Sequence, residues 1–364
     1  MSTTTVQNKS KLFEPASLGG IELTNRVIMA PMTRSRAIGN IPNSLMATYY
    51  AQRASAGLII SEGIAPSANG LGYSRIPGLF NKAQVEAWKE VTSAVHQNGG
   101  KIFAQLMHTG RISHKANMAK EAVIVAPSAI AAKGDMWTDA EGMQPMPTPL
   151  AITTEDIQHT INEFVTAAQN AIDAGFDGIE LHGANGYLLE QFLSPHTNHR
   201  TDNYGGSIEN RTRFVIETAK AVGEKIGFDK VGVRISPYSV YNDKAHYDEI
   251  FDTYSYLSKE LNNIGIVYLH LVDYAARASE EGLRLIDTIR NNFTNTLILN
   301  AGYTAERAVD ALANGQADLV SFGSAFIANP NLPYKLEHNI PLAAPDPNTF
   351  FSADAVGYTD YAVA

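Results

Sequence analysis

Short apolar runs rich in β-branched residues alternate along the chain with longer segments of helical periodicity. Each run has the length of a buried strand and ends near glycine, proline or polar residues, so we predict eight strands. These runs are Val27–Ala30, Leu58–Ser61, Ile102–Leu106, Gly178–Leu181, Val231–Ile235, Ile266–Leu271, Thr296–Leu299 and Asp318–Phe322.

Most of the intervening segments have one apolar face at helical spacing. The clearest stripe runs from Ile157 to Ile172 at three- and four-residue intervals, which predicts an amphipathic helix. Thr153 or Thr154 is the predicted N-cap, and Gly175 is the predicted end of the helix. Similar patterns predict helices over Val85–Val95, Ile250–Leu261 and Thr304–Gly315.

Eight strand-then-helix units predict an α/β fold of the TIM (β/α)8 barrel type. An open, doubly wound sheet is the alternative from pattern alone. We expect one domain over residues 1–364. Residues 108–150 follow the third strand, have no helical period and contain several prolines. They would lie on the C-terminal face of a barrel, where a long loop acts as a lid or a substrate wall.

Composition narrows the function classes. The formal net charge is −9, which argues against nucleic acid as a partner. The chain has no cysteine, so disulfides, cysteine nucleophiles and iron–sulfur clusters are excluded. Residues 1–10 lack the apolar core of a leader, and no run approaches the ~20 apolar residues of a membrane helix. We expect a cytoplasmic protein without a membrane partner; nothing in the sequence indicates its oligomeric state.

The predicted strand ends carry neutral hydrogen-bonding groups and one fixed cation. Thr33, Gln105 and Asn185 follow or end three of these strands, and Arg234 lies in a fourth. No carboxylate pair suits glycoside hydrolysis, and no strand-end lysine suits Schiff-base chemistry. Glycines follow the seventh and eighth strands, where barrels commonly bind phosphate. An amide-rich pocket beside a phosphate site is typical of a flavin mononucleotide site.

The densest polar cluster is His182-x-x-Asn185-x-Tyr187, which follows the fourth strand. Two hydrogen-bond donors beside a phenol can polarise a carbonyl and deliver a proton. The alternative is a capped strand end with a buried histidine. The other histidines lack acidic or cysteine partners at ligand spacing, so we expect no metal site and assign structural roles to His108, His114, His196 and His199.

Six segments match the motifs of a known family: Ala30–Arg34, Tyr49–Arg53, Gly57–Gly63, Gln105–Arg111, His182–Leu188 and Asn198–Arg211. On these segments the chain resembles, from Leu12 to Tyr361, the Old Yellow Enzyme family of FMN-dependent ene-reductases, and above all its bacterial N-ethylmaleimide reductases. The resemblance implies oxidation of NADPH or NADH through FMN and reduction of electron-poor alkenes. Alternatives are reduction of nitro or nitrate ester groups at the same site, or flavin binding without turnover.

The resemblance also implies roles for individual residues. His182 and Asn185 would bind the substrate carbonyl oxygen, and Tyr187 would donate the proton. The residues implied to contact FMN are Ala30, Pro31, Met32, Thr33, Gly63, Gln105, His182, Arg234, Ala301, Gly302, Gly323 and Ser324. Those implied to line the substrate site are Thr33, Tyr73, Met107, Leu271 and Phe351.

Three positions depart from the family pattern. Met107 replaces a usual tryptophan and Phe351 a common tyrosine. Ser324 stands where the family usually places an arginine on the FMN phosphate. The loss of one charged hydrogen bond predicts FMN affinity lower by roughly 10- to 100-fold. Arg307 either compensates or is a solvated surface residue.

Overall fold

The computed structural model describes residues 11–363. The segment on which the leader expectation rests, residues 1–10, lies outside the described residues. In chain order the strands are β1 (Ala16–Leu18), β2 (Ile21–Leu23), β3 (Val27–Met29), β4 (Leu58–Ile64), β5 (Ile102–Leu106), β6 (Val125–Ala126), β7 (Asp135–Thr138), β8 (Gly142–Pro145), β9 (Leu150–Ala151), β10 (Gly178–Gly183), β11 (Val231–Ile235), β12 (Tyr268–Val272), β13 (Thr296–Asn300) and β14 (Leu319–Phe322).

The main helices lie between these strands. They are α1 (Ser44–Ala51), α2 (Lys82–Gln97), α3 (Thr154–Asp173), α4 (Leu188–Leu193), α5 (Ile208–Ile226), α6 (Ile250–Ile264), α7 (Glu280–Asn292), α8 (Ala305–Ala313), α9 (Ser324–Ala328) and α10 (Leu332–Glu337).

Eight parallel strands close into a barrel in the order β3, β4, β5, β10, β11, β12, β13, β14, with β14 pairing back to β3. The predicted TIM barrel is therefore confirmed, and the open sheet is excluded. Side chains alternate between the two faces of each strand. The inward set forms the barrel interior, while the outward set packs against the helices in the larger core.

The predicted helix starts are confirmed by their caps. The Thr153 side chain accepts a hydrogen bond from the Asp156 backbone N–H, and the Asp156 carboxylate accepts one from the Thr153 backbone N–H. This reciprocal pair satisfies two donors that the first turn of α3 would otherwise leave unpaired. The Thr304 side chain caps α8 in the same way, although without the reciprocal bond.

Residues 108–150 have no α-helix, as predicted, but they are not structureless. Strands β7 and β8 pair as an antiparallel hairpin, and β6 pairs with β9. The hairpin turn is closed by Thr138, whose hydroxyl accepts from Glu141 N–H and donates to the Gly142 carbonyl. The pattern of apolar and polar residues does not predict this hairpin, because each strand has only four residues, too few for a clear alternation.

A second hairpin, β1–β2, was also not predicted. Gly19 and Gly20 form its turn at φ of +54° and +82°, a left-handed conformation that glycine adopts without steric cost. Leu18 and Leu23 pack into the barrel-interior cluster, so this hairpin closes one end of the barrel. Within residues 11–363, no helix has the length and apolar character needed to cross a bilayer.

Candidate active site

His182 lies near the C-terminal end of β10, in register with Arg234 on β11. Its Nδ1 atom accepts a hydrogen bond from the Ala184 backbone N–H at 3.3 Å, so the neutral ring carries its proton on Nε2. Burial lowers the pKa of His182 well below its usual value, and Arg234 and His270 lower it further. At neutral pH the ring is therefore a neutral donor, suited to an oxygen that becomes negative.

Asn185 and Gly186 form a left-handed turn directly after β10, at φ of +57° and +78°. The Asn185 N–H donates to the Ser236 hydroxyl at 2.8 Å, and its carbonyl accepts from the Asn242 side chain at 2.7 Å. Within residues 11–363 no hydrogen bond of the half-buried Asn185 side-chain amide is recorded. The backbone of the turn is thus held at both ends, while the amide is available to a ligand.

Tyr187 completes the predicted cluster. Its ring contacts the His182 ring edge-on, with 4.7 Å between centroids, and its hydroxyl donates to the Tyr73 hydroxyl at 3.1 Å. The side chain is 7% exposed. Burial raises the pKa of Tyr187 to about 12, so the phenol keeps its proton at neutral pH. The structure therefore brings a neutral imidazole and a protonated phenol together, with Asn185 in the turn between them.

Glu190, which the sequence motifs do not single out, holds this turn through its carboxylate. One carboxylate oxygen accepts from Gly186 N–H at 2.6 Å. The other accepts from the Ser236 hydroxyl at 2.8 Å, the Tyr254 hydroxyl at 2.6 Å and the Lys244 ammonium at 2.5 Å. Glu190 is 2% exposed. The available signal in the sequence was an acidic residue in the short, mostly apolar helix α4.

A second buried network lies inside the barrel. The Glu180 carboxylate accepts from Gln105 Nε2 at 2.7 Å, His270 Nδ1 at 2.8 Å and the Tyr268 hydroxyl at 3.0 Å. Burial works to raise the pKa of Glu180, but His270 and Arg234 outweigh it and hold that pKa below its usual value. An acidic residue between two apolar residues of a buried strand was the available signal for this site.

Arg234 continues this network toward the mouth of the barrel. One guanidinium nitrogen donates to Asn300 Oδ1 at 2.7 Å, and Asn300 donates in turn to Ser321. Arg234 Nε is buried and has no hydrogen-bond partner within residues 11–363. Buried donors are normally paired, so this N–H points to an acceptor on a bound group.

The ends of β13 and β14 present accessible backbone. Ala301 and Gly302 adopt left-handed conformations at φ of +89° and +71°, and Gly302 is exposed. A Cβ atom at Gly323 would meet nothing closer than Met32 Sδ at 3.7 Å. Open backbone N–H groups at this end of a barrel suit a phosphate group.

Comparison with known proteins decides the family. The family model described as NADH:flavin oxidoreductase / NADH oxidase matches residues 11–343. The chain belongs to this family. It is 40% identical over 357 residues to 12-oxophytodienoate reductase 1 of Oryza sativa subsp. japonica, covering 96% of this chain and 92% of the relative.

Two solved structures support the same conclusion. The structure of morphinone reductase in complex with tetrahydroNAD is 43% identical, covers 97% of each chain and has a TM-score of 0.92. The old yellow enzyme homologue from Zymomonas mobilis is 38% identical, covers 97% of this chain and 100% of its own, and has a TM-score of 0.93. The resemblance to the Old Yellow Enzyme family is thus confirmed.

As a member of the Old Yellow Enzyme family, the chain is an FMN-dependent oxidoreductase that uses a nicotinamide coenzyme. The residues present fit FMN. Arg234 offers an unpartnered buried N–H, and the Gln105 amide oxygen accepts no recorded hydrogen bond within the described residues. The half-buried Thr33 adds a hydroxyl, and Gly302 and Gly323 add open backbone. The donor set therefore suits a polar heterocycle with an anionic edge and a terminal phosphate.

Other predicted site residues have different surroundings. Ala30 is buried at the end of β3, and Pro31 and Met32 are half-buried beside it. A Cβ atom at Gly63 would lie 2.6 Å from Met107 Sδ, so this glycine makes room for Met107. Met107 in turn packs in one apolar cluster with Tyr187.

Two of the predicted substrate-lining residues differ in burial and in their position relative to the site. Leu271 does not line the site: its neighbour His270 points into the barrel, and the period-two alternation of β12 buries Leu271 in the core between sheet and helices. Phe351 is 59% exposed, and its carbonyl accepts a hydrogen bond from Arg75 at 2.8 Å.

Three buried histidines predict a loss of stability below neutral pH. Burial lowers the pKa of His182 and of His270, and lowers that of His108 to about 3, whereas unfolded histidines titrate near 6.5. Glu62 acts in the opposite sense, because burial raises its pKa to about 7. Between about pH 6.5 and 5, unfolding lets these histidines take up protons, while the Glu62 carboxyl releases one. The histidines outnumber Glu62, so unfolding takes up protons overall and the free energy of unfolding decreases as the pH is lowered.

Urea unfolding of the FMN-loaded protein at a series of pH values from 8 to 5 measures this slope. His108→Asn keeps an acceptor for the Gly110 N–H and should reduce the uptake by about one proton. His159→Gln, at an exposed histidine, is the matched control and should leave the slope unchanged. A slope unaffected by His108→Asn would contradict the assignment.

Proposed function

We propose that the chain reduces the C=C bond of activated alkenes such as enones, enals and maleimides. The observation that carries this proposal is the contact between the neutral imidazole of His182 and the protonated phenol of Tyr187, with the free amide of Asn185 in the turn between them. Two donors and one acid at a single site are what the reduction of a carbonyl-activated alkene requires. Bound FMN supplies the hydride, from its N5 atom.

His182 and Asn185 are proposed to bind the carbonyl oxygen of the substrate. Hydride addition at the β-carbon moves negative charge onto that oxygen. Two neutral donors aimed at it act as an oxyanion hole, in which one donor contributes roughly 3–4 kcal/mol. Because neither donor needs a positive charge, carbonyl binding should depend little on pH near neutrality.

Tyr187 is proposed to protonate the α-carbon. With its pKa raised to about 12, the phenol stays protonated in the resting site, yet it is far more acidic than the α-carbon of a reduced enone. If the hydride reached the opposite face of the alkene, a proton from Tyr187 would give net anti addition.

We further propose one domain in which residues 108–150 form a wall of the substrate site. Hairpin β7–β8 is held to the loop after β4 by the Arg75–Asp139 ion pair. Asn117 bridges the same two segments, because its Nδ2 donates to the Trp137 carbonyl at 2.8 Å and to the Gly72 carbonyl at 2.9 Å. Met136 of this hairpin shares an apolar cluster with Tyr187. An apolar wall beside the acid suits a hydrophobic alkene.

The visible absorption spectrum of the FMN-loaded protein tests the proposed reaction. Anaerobic NADPH should bleach the flavin bands, and cyclohexenone should then restore them. Bands that bleach with NADPH, stay bleached with cyclohexenone and return with oxygen would rule out the alkene as acceptor while leaving the flavin site intact.

A further inference from the structure

Arg277 reaches from the loop after β12 to the end of β13. Its Nη2 donates to the Ala301 carbonyl at 2.6 Å, and its Nη1 pairs with Asp273 Oδ1 at 2.7 Å. A Cβ atom at Gly302 would lie 3.6 Å from Nη2. The guanidinium therefore bonds Ala301 and lies beside Gly302, at the left-handed turn that ends β13.

This contact holds a backbone conformation that alanine rarely adopts. Ala301 has φ of +89°, which costs free energy in a residue with a Cβ and persists only where the surroundings impose it. Asp273 is 1% exposed and also accepts from the Tyr303 hydroxyl at 2.6 Å. The carboxylate thus fixes the orientation of the Arg277 guanidinium, whose bonds to Asp273 and Ala301 use two of its five N–H groups.

The end of the neighbouring strand, β14, has no cationic residue at Ser324. Ser324, directly after Gly323, is uncharged and exposed. Arg307 is exposed on α8, with its guanidinium 5.6 Å from the centre of the Tyr303 ring. Of these two arginines, Arg277 is the one in contact with the Ala301–Gly302 turn.

We propose that Arg277 supplies the positive charge that binds the terminal phosphate of FMN, and that it holds the Ala301–Gly302 turn in the shape that receives this group. This assignment rests on the FMN dependence of the family and is independent of the alkene reaction. It also changes the expectation from Ser324, because the charge missing at that position is provided from the loop after β12.

Riboflavin, which lacks the phosphate, separates charge recognition from shape. The full-length chain is stripped of flavin, checked for folding by circular dichroism, and titrated with FMN and with riboflavin while flavin fluorescence is followed. Arg277→Gln should raise the Kd for FMN by roughly 10- to 100-fold and the Kd for riboflavin by less than about threefold. Arg307→Gln is the matched control and should change neither.

Adding Ser324→Arg to Arg277→Gln should recover most of the FMN affinity, whereas Ser324→Arg alone should change it little. Equal weakening of FMN and riboflavin binding by Arg277→Gln would mean that Arg277 only shapes the turn. An unchanged Kd for FMN would place the phosphate elsewhere. Either result overturns the proposal.

If Arg277→Gln does not fold, Arg277→Lys keeps the Asp273 pair but loses the planar guanidinium. FMN should then weaken more than riboflavin, and equal changes overturn the proposal.

Discussion

Tyr187→Phe is expected to slow alkene reduction by roughly 10²- to 10⁴-fold, the range for loss of a positioned general acid. The phenylalanine ring preserves the edge contact with His182 and removes only the hydroxyl that lies 3.1 Å from Tyr73. Flavin reduction by NADPH needs no proton from this phenol, so that half-reaction should keep its rate. Anaerobic stopped-flow measurement of the two half-reactions separates the effects.

Tyr73→Phe is the matched control for this variant. It removes the other hydroxyl of the same hydrogen bond and leaves the Tyr187 proton in place, so alkene reduction should fall by much less than in Tyr187→Phe. If Tyr73→Phe is the slower variant, the acid is Tyr73. Full alkene turnover in Tyr187→Phe would remove Tyr187 from the role.

A nitrate ester substrate extends the same comparison. Its reduction involves no protonation of carbon, so Tyr187→Phe should leave that activity largely intact while alkene reduction is lost. Equal loss of both activities would indicate that the hydroxyl acts on the flavin site as a whole and not on the α-carbon.

The barrel could be predicted because short stretches of sequence show where its strands and helices lie. Each barrel strand is a short, mostly apolar run, and Thr153 and Thr304 cap helices by accepting from N–H groups three residues further along the chain. The cluster from His182 to Tyr187 was also predictable, since six consecutive residues contain it. Where the pattern is short, as in the β7–β8 hairpin, the sequence does not predict the element.

The supporting residues were not predictable from one sequence because their partners lie far along the chain. Glu190 meets Lys244 only when α4 packs against the loop after β11, and Arg277 meets Ala301 only when β12 and β13 pair. Leu271 was misplaced for a related reason. The sequence around an apolar residue at a strand end does not show which face of the strand that residue occupies. The register of the barrel strands determines whether its side chain points into the barrel or toward the helices.

Glu190→Gln is expected to reduce both stability and rate. It leaves the Lys244 ammonium buried without its counter-charge, and breaking a buried pair in this way costs about 3–5 kcal/mol. It also leaves one acceptor oxygen for four donors, so either Gly186 or Ser236 loses its bond to this side chain. A shift of about 1 Å in the turn that carries Asn185 is enough to lower the alkene step by about 10²-fold.

The double variant Glu190→Gln with Lys244→Met separates these two effects. Removing both charges should restore most of the free energy of unfolding measured in urea, because no buried ammonium is left unpaired. The alkene half-reaction should stay slow, because the turn has not regained its carboxylate. Glu217→Gln is the matched control: this carboxylate accepts from the Tyr204 hydroxyl at 2.8 Å and has no recorded contact with the turn. A double variant as fast as the parent would show that Glu190 stabilises the fold without positioning Asn185 and Tyr187.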